Sequence, residues 1–368
     1  MNIKNDMTIS ILTHSWFKYF TGGGERYPWE LAKALSKYAQ VNLVTFATKR
    51  NTCRVSDNLT IEEFPAFCSL KPIIDSFNPL PLSFDFLEVL DKSNIVHINQ
   101  FGILISSIAT WYCHFRKKPI FASYHGGRGR MFAAFTPYIG TWIDEFLFVC
   151  DYMRPMFSKF GRSCTSVYVG VDTDKFCPIN QQRAKGKILF VGRIHPIKGI
   201  EFLVEAVQSI NVELYVIGPA MDHQYLNSLK QRDVNRKVTF LGNQDDNSLV
   251  YHYNTAVVTI MPSVYTKKWW NCFPESDLAP NVILESMSCG TPVIGTDIAG
   301  IPELICNGET GFIIPPSNSD GIRDSIAYCL ANPTEVTKMG MLARKTVLDQ
   351  FTWDAVAQRC IKTYKKYI

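Results

Sequence analysis

A chain of 368 residues with 46% hydrophobic and 19% charged side chains can build two domains with cores of their own, at a rule of thumb of about 100–200 residues per domain. The same balance excludes a disordered chain. A formal net charge of +5, without a Lys/Arg stripe interleaved with aromatics, argues against nucleic-acid binding and leaves room for anionic substrates or a membrane surface. No run reaches about 18 uncharged apolar residues, and the opening MNIKNDMTIS lacks the apolar stretch of a signal peptide. The eleven cysteines include no C-x-x-C pair and no zinc-spaced Cys/His group. The expectation is therefore a cytoplasmic chain in which cysteines such as Cys150 and Cys289 are small core residues.

The first predicted strand is Thr8 to Leu12, which delivers the chain to a loop ending Thr21-Gly22-Gly23-Gly24-Glu25. A helix follows from Glu25 to about Tyr38, with Leu31, Ala34 and Leu35 on one face. A glycine loop between strand and helix can bring amides to a phosphate or a sugar, although three glycines alone equally make a surface turn. Strands Val41–Phe46, Ile95–Ile98 and Ile120–Tyr124, with a helix over Ile103–Phe115, complete an alternation that implies a parallel sheet. Ligands of such sheets gather beyond the carboxyl ends of the strands, where His125 stands before Gly126-Gly127. A histidine there can hydrogen-bond a sugar hydroxyl or an acceptor.

After Arg128 and Arg130 comes MFAAFTPYIGTWIDEFLF, for which a core helix broken at Pro137 is the favoured reading. A surface helix whose basic flank meets anionic lipid is the alternative, and it carries a hypothesis of peripheral contact at the inner membrane face. VYVGVDTDKF, Val167 to Phe176, reads as a strand followed by a turn that Asp172 orders by bonding backbone amides. The polar stretch Cys177–Gly186, with Pro178, reads as a linker.

In the second half, strand Lys187–Val191 exits at Gly192-Arg193, and Lys198-Gly199 opens a helix with Phe202, Leu203, Ala206 and Val207 on one face. Arg193 offers a planar fork and Lys198 a compact charge to one diphosphate. Either cation alone would be merely solvated. Strands Val212–Ile217, Val238–Leu241 and Ala256–Met261 end in Gly218-Pro219, Gly242-Asn243 and Pro262-Ser263, so a row of strand ends lines one edge. A helix from about Pro280 to Cys289 then places Pro280 in its first turn and leaves the amides of Asn281 and Val282 as anion donors. Glu285 lies one turn in, beside Val282, Ile283, Leu284 and Met287. A carboxylate there needs a partner, either a cation or the paired hydroxyls of a ribose. Strand Pro292–Thr296, a structural turn Gly308–Gly311 before Phe312–Ile314, and a helix within Phe351–Ile368 close the chain.

Gly192-Arg193 with Lys198-Gly199, Pro262-Ser263, and NVILESMSCGTPVIGTDIAGIPELICNGETGF, in that order, resemble the retaining GT-B glycosyltransferases of family 4. The resemblance covers most of the chain and is dense from Lys187 to Pro315. It implies two Rossmann-like domains facing a central cleft: an acceptor domain, 1–177, joined by a C-terminal helix, 352–368, that crosses back to it, and a donor domain, 178–351. It further implies that Gly23, Gly24 and His125 line the active site, that Gly242 and Asn243 seat the nucleotide base, and that Glu285 holds the ribose. The family's Glu-x7-Glu has Asp277 at its first, sugar-touching position, with Glu275 a longer alternative nearby, and Val169 replaces the Asn of the usual Asn-Gly-Val-Asp.

The reaction so implied is transfer of a hexose-type sugar from a UDP- or GDP-sugar to a hydroxyl of a glycan or lipid-linked acceptor, with retention and without a metal or other cofactor. Cell-surface polysaccharide or glycoconjugate synthesis is the expected setting. His125, Arg193, Lys198 and Asp277 form the expected catalytic set, and Lys267, Lys268, Trp269 and Trp270 are candidate selectors of sugar and acceptor. A GT-B sugar-nucleotide epimerase, or a non-catalytic donor-binding partner subunit suggested by Asp277, are the competing expectations.

Overall fold

Two parallel sheets account for the apolar runs, each wound so that the chain leaves its first strand, builds outward on one side and then returns to build on the other. The structure, a computed structural model, describes residues 7–14, 23–65, 83–125, 136–265 and 277–368. The first sheet contains β1 (Thr8–Leu12), β2 (Gln40–Ala47), β3 (Asn51–Ser56), β4 (Leu59–Pro65), β5 (Ile95–Ile98), β6 (Ile120–Tyr124), β7 (Glu145–Phe148) and β8 (Ser163–Ser166). Its order is β3-β4-β2-β1-β5-β6-β7-β8, parallel except for the β3–β4 hairpin at one edge. The second contains β9 (Lys187–Val191), β10 (Glu213–Ile217), β11 (Val238–Gly242), β12 (Val258–Met261), β13 (Val293–Thr296) and β14 (Gly311–Ile314). Its order is β11-β10-β9-β12-β13-β14, all parallel.

Strands buried on both faces need no polar alternation, which is why β5, β7, β9, β12 and β13 are buried along their whole length and carry only one polar residue each. Cys150 and Cys289 are core residues, as expected. The strand order also fixes where ligands can go. In each sheet the direction of winding reverses once, between β1 and β5 and between β9 and β12, and the diverging loops leave a crevice beyond those carboxyl ends.

The chain divides into two compact units, one reaching Val169 and including Trp353–Ile368, the other spanning Gly170–Thr352. The division falls earlier than the polar stretch read as a linker. That stretch is tied into the second unit, where Asn254 accepts from the Ile179 amide and donates to the Cys177 carbonyl, and Arg183 donates to the Gly290 carbonyl. The last helix, Trp353–Tyr364, packs within the first unit, burying Val356, Ala357, Cys360 and Tyr364 and setting Trp353 edge-on to Tyr27 at 5.3 Å.

Three local expectations change. The helix after the glycine run begins at Gly23, so Gly23 and Gly24 form its first turn instead of a loop. Strand β8 ends at Ser166; Val167–Phe176 is irregular, with a bridge from Val171 to Thr352 and with Asp172 accepting from the Asp174 and Lys175 amides, as its turn role requires. The apolar run expected as a core helix broken at Pro137 instead contributes a short helix, Thr136–Gly140, that runs through Pro137, and the buried strand β7, while residues 126–135, with Arg128 and Arg130, lie outside the described residues. Four- to eight-residue apolar runs suit either state, and here pairing of Phe121–Tyr124 with Glu145–Phe148 decided it.

Candidate active site

The second crevice is assembled from loops that only close backbone contact can bring together. After β10, Gly218 has φ +140° and a Cβ there would lie 2.0 Å from the Gly192 carbonyl oxygen, so the exits of β9 and β10 lie against each other. Gly199, at φ +60°, brings the β9 loop onto the β12 exit: its Cβ would lie 2.1 Å from the Pro262 carbonyl oxygen. Hydrogen bonds from Gly192 to Ile217, Gly218 to Gly242 and Val264 to Ile197 complete the row of exits. Gly242 and Asn243 stand exposed at the end of β11.

Across this crevice Lys198 and Asp277 meet. The Lys198 ammonium lies 2.7 Å from both carboxylate oxygens, and the Ser263 hydroxyl donates to Asp277 Oδ2 at 2.5 Å. Lys198 is only 7% exposed, and Ser263 is buried with its carbonyl accepting from the Thr296 hydroxyl. A desolvated ammonium is tolerated because the carboxylate and hydroxyl beside it are held in place. Arg193 sits on the same loop, exposed. Glu275, Lys267, Lys268, Trp269 and Trp270 lie outside the described residues.

Glu285 rides on the helix Asn281–Ser288, whose Ile283, Leu284 and Met287 are buried. Pro280 is the N-cap of this helix, with extended backbone, instead of its first helical residue. Asn281 and Val282 follow as its half-buried first turn, whose amides have no intrahelical acceptor. Glu285 Oε2 accepts from the Tyr253 hydroxyl at 2.8 Å. Tyr253 is fully buried, and burial together with the Glu285 charge raises its phenol pKa well above the ordinary value. A neutral phenol thus holds the carboxylate. Nothing in the sequence points to Tyr253 for this role, because its helix Asp246–Thr255 shows no strong apolar period.

In the first unit, His125 lies just past β6, its Nε2 3.1 Å from Asn99 Oδ1 and its amide donating to Gln100 Oε1. Tyr27 tilts against its ring at 4.3 Å, so the Gly23–Leu35 helix contacts His125 through this residue. Burial, reinforced by His14, pushes its pKa down to about 4, so the ring is neutral near pH 7 and offers one donor and one acceptor. His14, just past β1, is likewise pushed to about 4 by burial, and its buried Nδ1 lacks a partner among the described residues. His14, Asn99 and Gln100 are absent from the residues expected on sequence grounds, although each lies within two residues of the end of a strand flanking the winding reversal. His97, inside β5, is buried between the Ser123 and Tyr364 hydroxyls, each at 2.7 Å. Of the expected residues, Gly23, Gly24 and His125 thus belong to the first unit, and Gly192, Arg193, Lys198, Gly242, Asn243, Asp277, Asn281, Val282 and Glu285 to the second.

Comparison with known proteins bears directly on this arrangement. Residues 21–175 match the family described as Glycosyltransferase Family 4, and residues 173–346 that described as Glycosyl transferases group 1. The chain belongs to the group 1 glycosyltransferases. The two matches in this glycosyltransferase family chain meet just past the division between its units. An uncharacterized glycosyltransferase of Methanocaldococcus jannaschii is 32% identical over 51% of the chain and 46% of its own length. A GDP-mannose-dependent alpha-(1-6)-phosphatidylinositol monomannoside mannosyltransferase of Mycobacterium tuberculosis is 29% identical over 60% of the chain and 61% of its own. The chain therefore spans about half to three fifths of the length of these curated relatives. Among solved structures, Anabaena HepE in complex with UDP and glucose superposes with a TM-score of 0.71 at 18% identity, over 98% of this chain and 99% of that one. The fold is GT-B.

Proposed function

We propose that the protein is a retaining glycosyltransferase that moves a hexose-type sugar from a UDP- or GDP-sugar to a hydroxyl of a glycan or lipid-linked acceptor, without a metal, in cell-surface polysaccharide or glycoconjugate synthesis. The observation that carries this reading is the Lys198–Asp277–Ser263 cluster at the winding reversal of the second sheet, with Glu285 on the helix that follows. In this reading Lys198 and Arg193 bind the diphosphate, and Glu285 accepts the ribose hydroxyls. Asp277, already fixed by Lys198 and Ser263, accepts from a hydroxyl of the sugar.

As the bond from the anomeric carbon to phosphate breaks, positive charge grows on the sugar and negative charge on the leaving diphosphate. Cations and first-turn amides that need no reorganisation stabilise the leaving group most at that moment. The departing phosphate oxygen takes the acceptor proton on the face it leaves, and the new bond forms on that face. On the first unit, neutral His125 can donate and accept one hydrogen bond each with a sugar or acceptor hydroxyl. Two of the three proteins named above support the donor class: one is GDP-mannose-dependent and the other was solved with UDP and glucose.

A lipid-linked acceptor and peripheral membrane contact draw support from an apolar groove of about 290 Å³ in the first unit, rimmed by exposed Phe84 and Trp111, with exposed Lys117 at the end of the Trp111 helix. Flotation with anionic liposomes tests that part, and absence of binding removes it. The main test is a nucleotide thermal-shift screen followed by transfer from the stabilising sugar nucleotide to a membrane or glycan extract. Transfer lost in Lys198→Ala and Glu285→Ala supports the reading. Isomerised donor without transfer would instead indicate an epimerase, and binding without turnover a partner subunit.

A further inference from the structure

The two ring nitrogens of His125 are treated differently by their surroundings, and the difference is set by Asn99. Asn99 follows β5, is only 2% exposed, and its amide donates to the Leu12 carbonyl at the end of β1 at 2.9 Å. The Phe101 amide donates to the Ser123 carbonyl in β6 at 2.9 Å, so the exit of β5 is tied to the strands on both sides of it. From this fixed point Asn99 Oδ1 lies 3.1 Å from His125 Nε2, and Gln100 Oε1 accepts from the His125 amide at 3.2 Å. Tyr27 covers one face of the ring at 4.3 Å. The backbone, one edge and one face of His125 are each held.

The proton of the neutral ring belongs on the Asn99 side. Burial and the neighbouring His14 ring lower the His125 pKa to about 4, and a hydrogen bond to the Asn99 backbone works against them. A hydrogen bond that raises an imidazole pKa is one in which the ring donates. Asn99 thus meets the ring with acceptors, the oxygen of its side chain among them, and Nε2 is the donor. Nδ1 is left as the lone-pair nitrogen. It has no hydrogen-bond partner among the described residues, and, unlike the unpartnered Nδ1 of His14, it is not sealed from solvent. An accessible acceptor thus stands just past the end of β6, beside the winding reversal of the first sheet.

We propose that Asn99 is a positioning residue for transfer: by accepting from Nε2 it fixes the tautomer of His125, so that Nδ1 meets a substrate hydroxyl as an acceptor only. This rests on the transferase reading and narrows it, because the one donor of the neutral ring is already committed to Asn99. A hydroxyl can donate to Nδ1, whereas a deoxy or O-methyl position cannot. The titratable groups that face the ring are His14 beyond β1, His97 in β5 and Tyr27 on the Gly23–Leu35 helix, and none of them is a carboxylate.

Nitrogen-15 NMR of the full chain labelled at histidine tests the tautomer without substrate, with His125→Gln identifying the resonances. In the wild type at pH 7, Nε2 is expected to carry the proton and Nδ1 to be bare. Asn99→Ala is expected to raise the Nδ1-protonated fraction by roughly two- to tenfold, the loss of one neutral hydrogen bond. Asn99→Asp sets a carboxylate beside Nε2 and is expected to raise the protonation midpoint of the ring by about 1–3 pH units. An imidazolium has no acceptor, so the acid limb of the transfer pH profile should move up with that midpoint, which a loss of packing would not produce. A wild-type ring protonated at Nδ1, or a tautomer unchanged in folded Asn99→Ala, would overturn the positioning role. A midpoint that rises in Asn99→Asp while the acid limb stays in place would overturn the contact of Nδ1 with substrate. If the wild type transfers no sugar, the transferase reading falls and the role in transfer with it, while the NMR measurements still decide whether Asn99 sets the tautomer.

Discussion

Lys198 and Asp277 are each other's partners before any substrate arrives, so a change at one is felt at the other. In Asp277→Asn the ammonium stays buried without its countercharge, and the second unit should lose about 3 kcal/mol, read as a lower urea midpoint. In Lys198→Ala the loss should appear in transfer, slowed by roughly ten- to a hundredfold if the lost bond is made mainly in the transition state. Arg193→Ala should slow transfer with little change in the urea midpoint, because Arg193 is exposed. Tyr253→Phe keeps the ring in the core and removes only the bond to Glu285. Nucleotide affinity measured by titration should then fall by about tenfold, while an unchanged affinity would mean that Glu285 is held by other contacts. Lys198, Arg193 and Glu285 are legible in the sequence because charge in an apolar or strand-end setting is conspicuous. Tyr253 is not, since a buried phenol looks like any other core aromatic until its hydroxyl partner is known.

Strands and helices place these residues through contacts that tolerate no extra atoms. Gly199→Ala would put a methyl group on the Pro262 carbonyl while holding an L-residue at φ +60°. A loss of at least about 2 kcal/mol in unfolding free energy is expected, with weaker nucleotide binding as the β9 and β12 exits separate. The terminal helix offers a second check, because its Tyr364 hydroxyl partners buried His97 in β5. Tyr364→Phe leaves that imidazole nitrogen without its partner and should cost about 1–3 kcal/mol, whereas loss of the helix's packing alone would leave stability nearly unchanged for so small a deletion. Elements with a clear period or a turn residue at each end, such as β1, β5, β6 and β9, are readable to the residue. The run containing β7 reads wrongly as helix because three apolar residues, Phe146 to Phe148, carry no period of their own. The start of the Gly23–Leu35 helix is displaced in a sequence reading because glycine is a weak helix signal.

Across the whole molecule, burial keeps several histidines neutral: His14 and His125 are pushed to about 4 and His97 to about 3 in the first unit, and His252 to about 4 in the second. Each sits below its unfolded value near 6.5, so between about pH 4 and 6.5 the unfolded chain binds more protons than the folded one. Stability contributed by these groups is therefore fully present above about pH 6.5 and is lost as pH falls toward 4, with each fully buried ring contributing on the order of 1–3 kcal/mol. Urea midpoints should drop from pH 7.5 to pH 5, and His97→Gln should flatten part of that slope. A midpoint independent of pH over this range would contradict it.

Composition and the alternation of strand and helix were enough to determine an α/β chain with parallel sheets, and the motifs that resemble the GT-B glycosyltransferases were enough to point to the family, with Arg193, Lys198, Asp277 and Glu285 as candidate residues at strand exits and a helix start. These are properties of short segments: backbone state follows local period, and strand exits announce themselves with Gly, Pro and Asn. Which side chains pair was decided only in three dimensions. The Lys198–Asp277 contact joins residues 79 positions apart and the Tyr364–His97 bond joins residues 267 apart. Such partners are chosen by strand order and by the close passage of one backbone over another, neither of which leaves a mark on any single stretch of sequence.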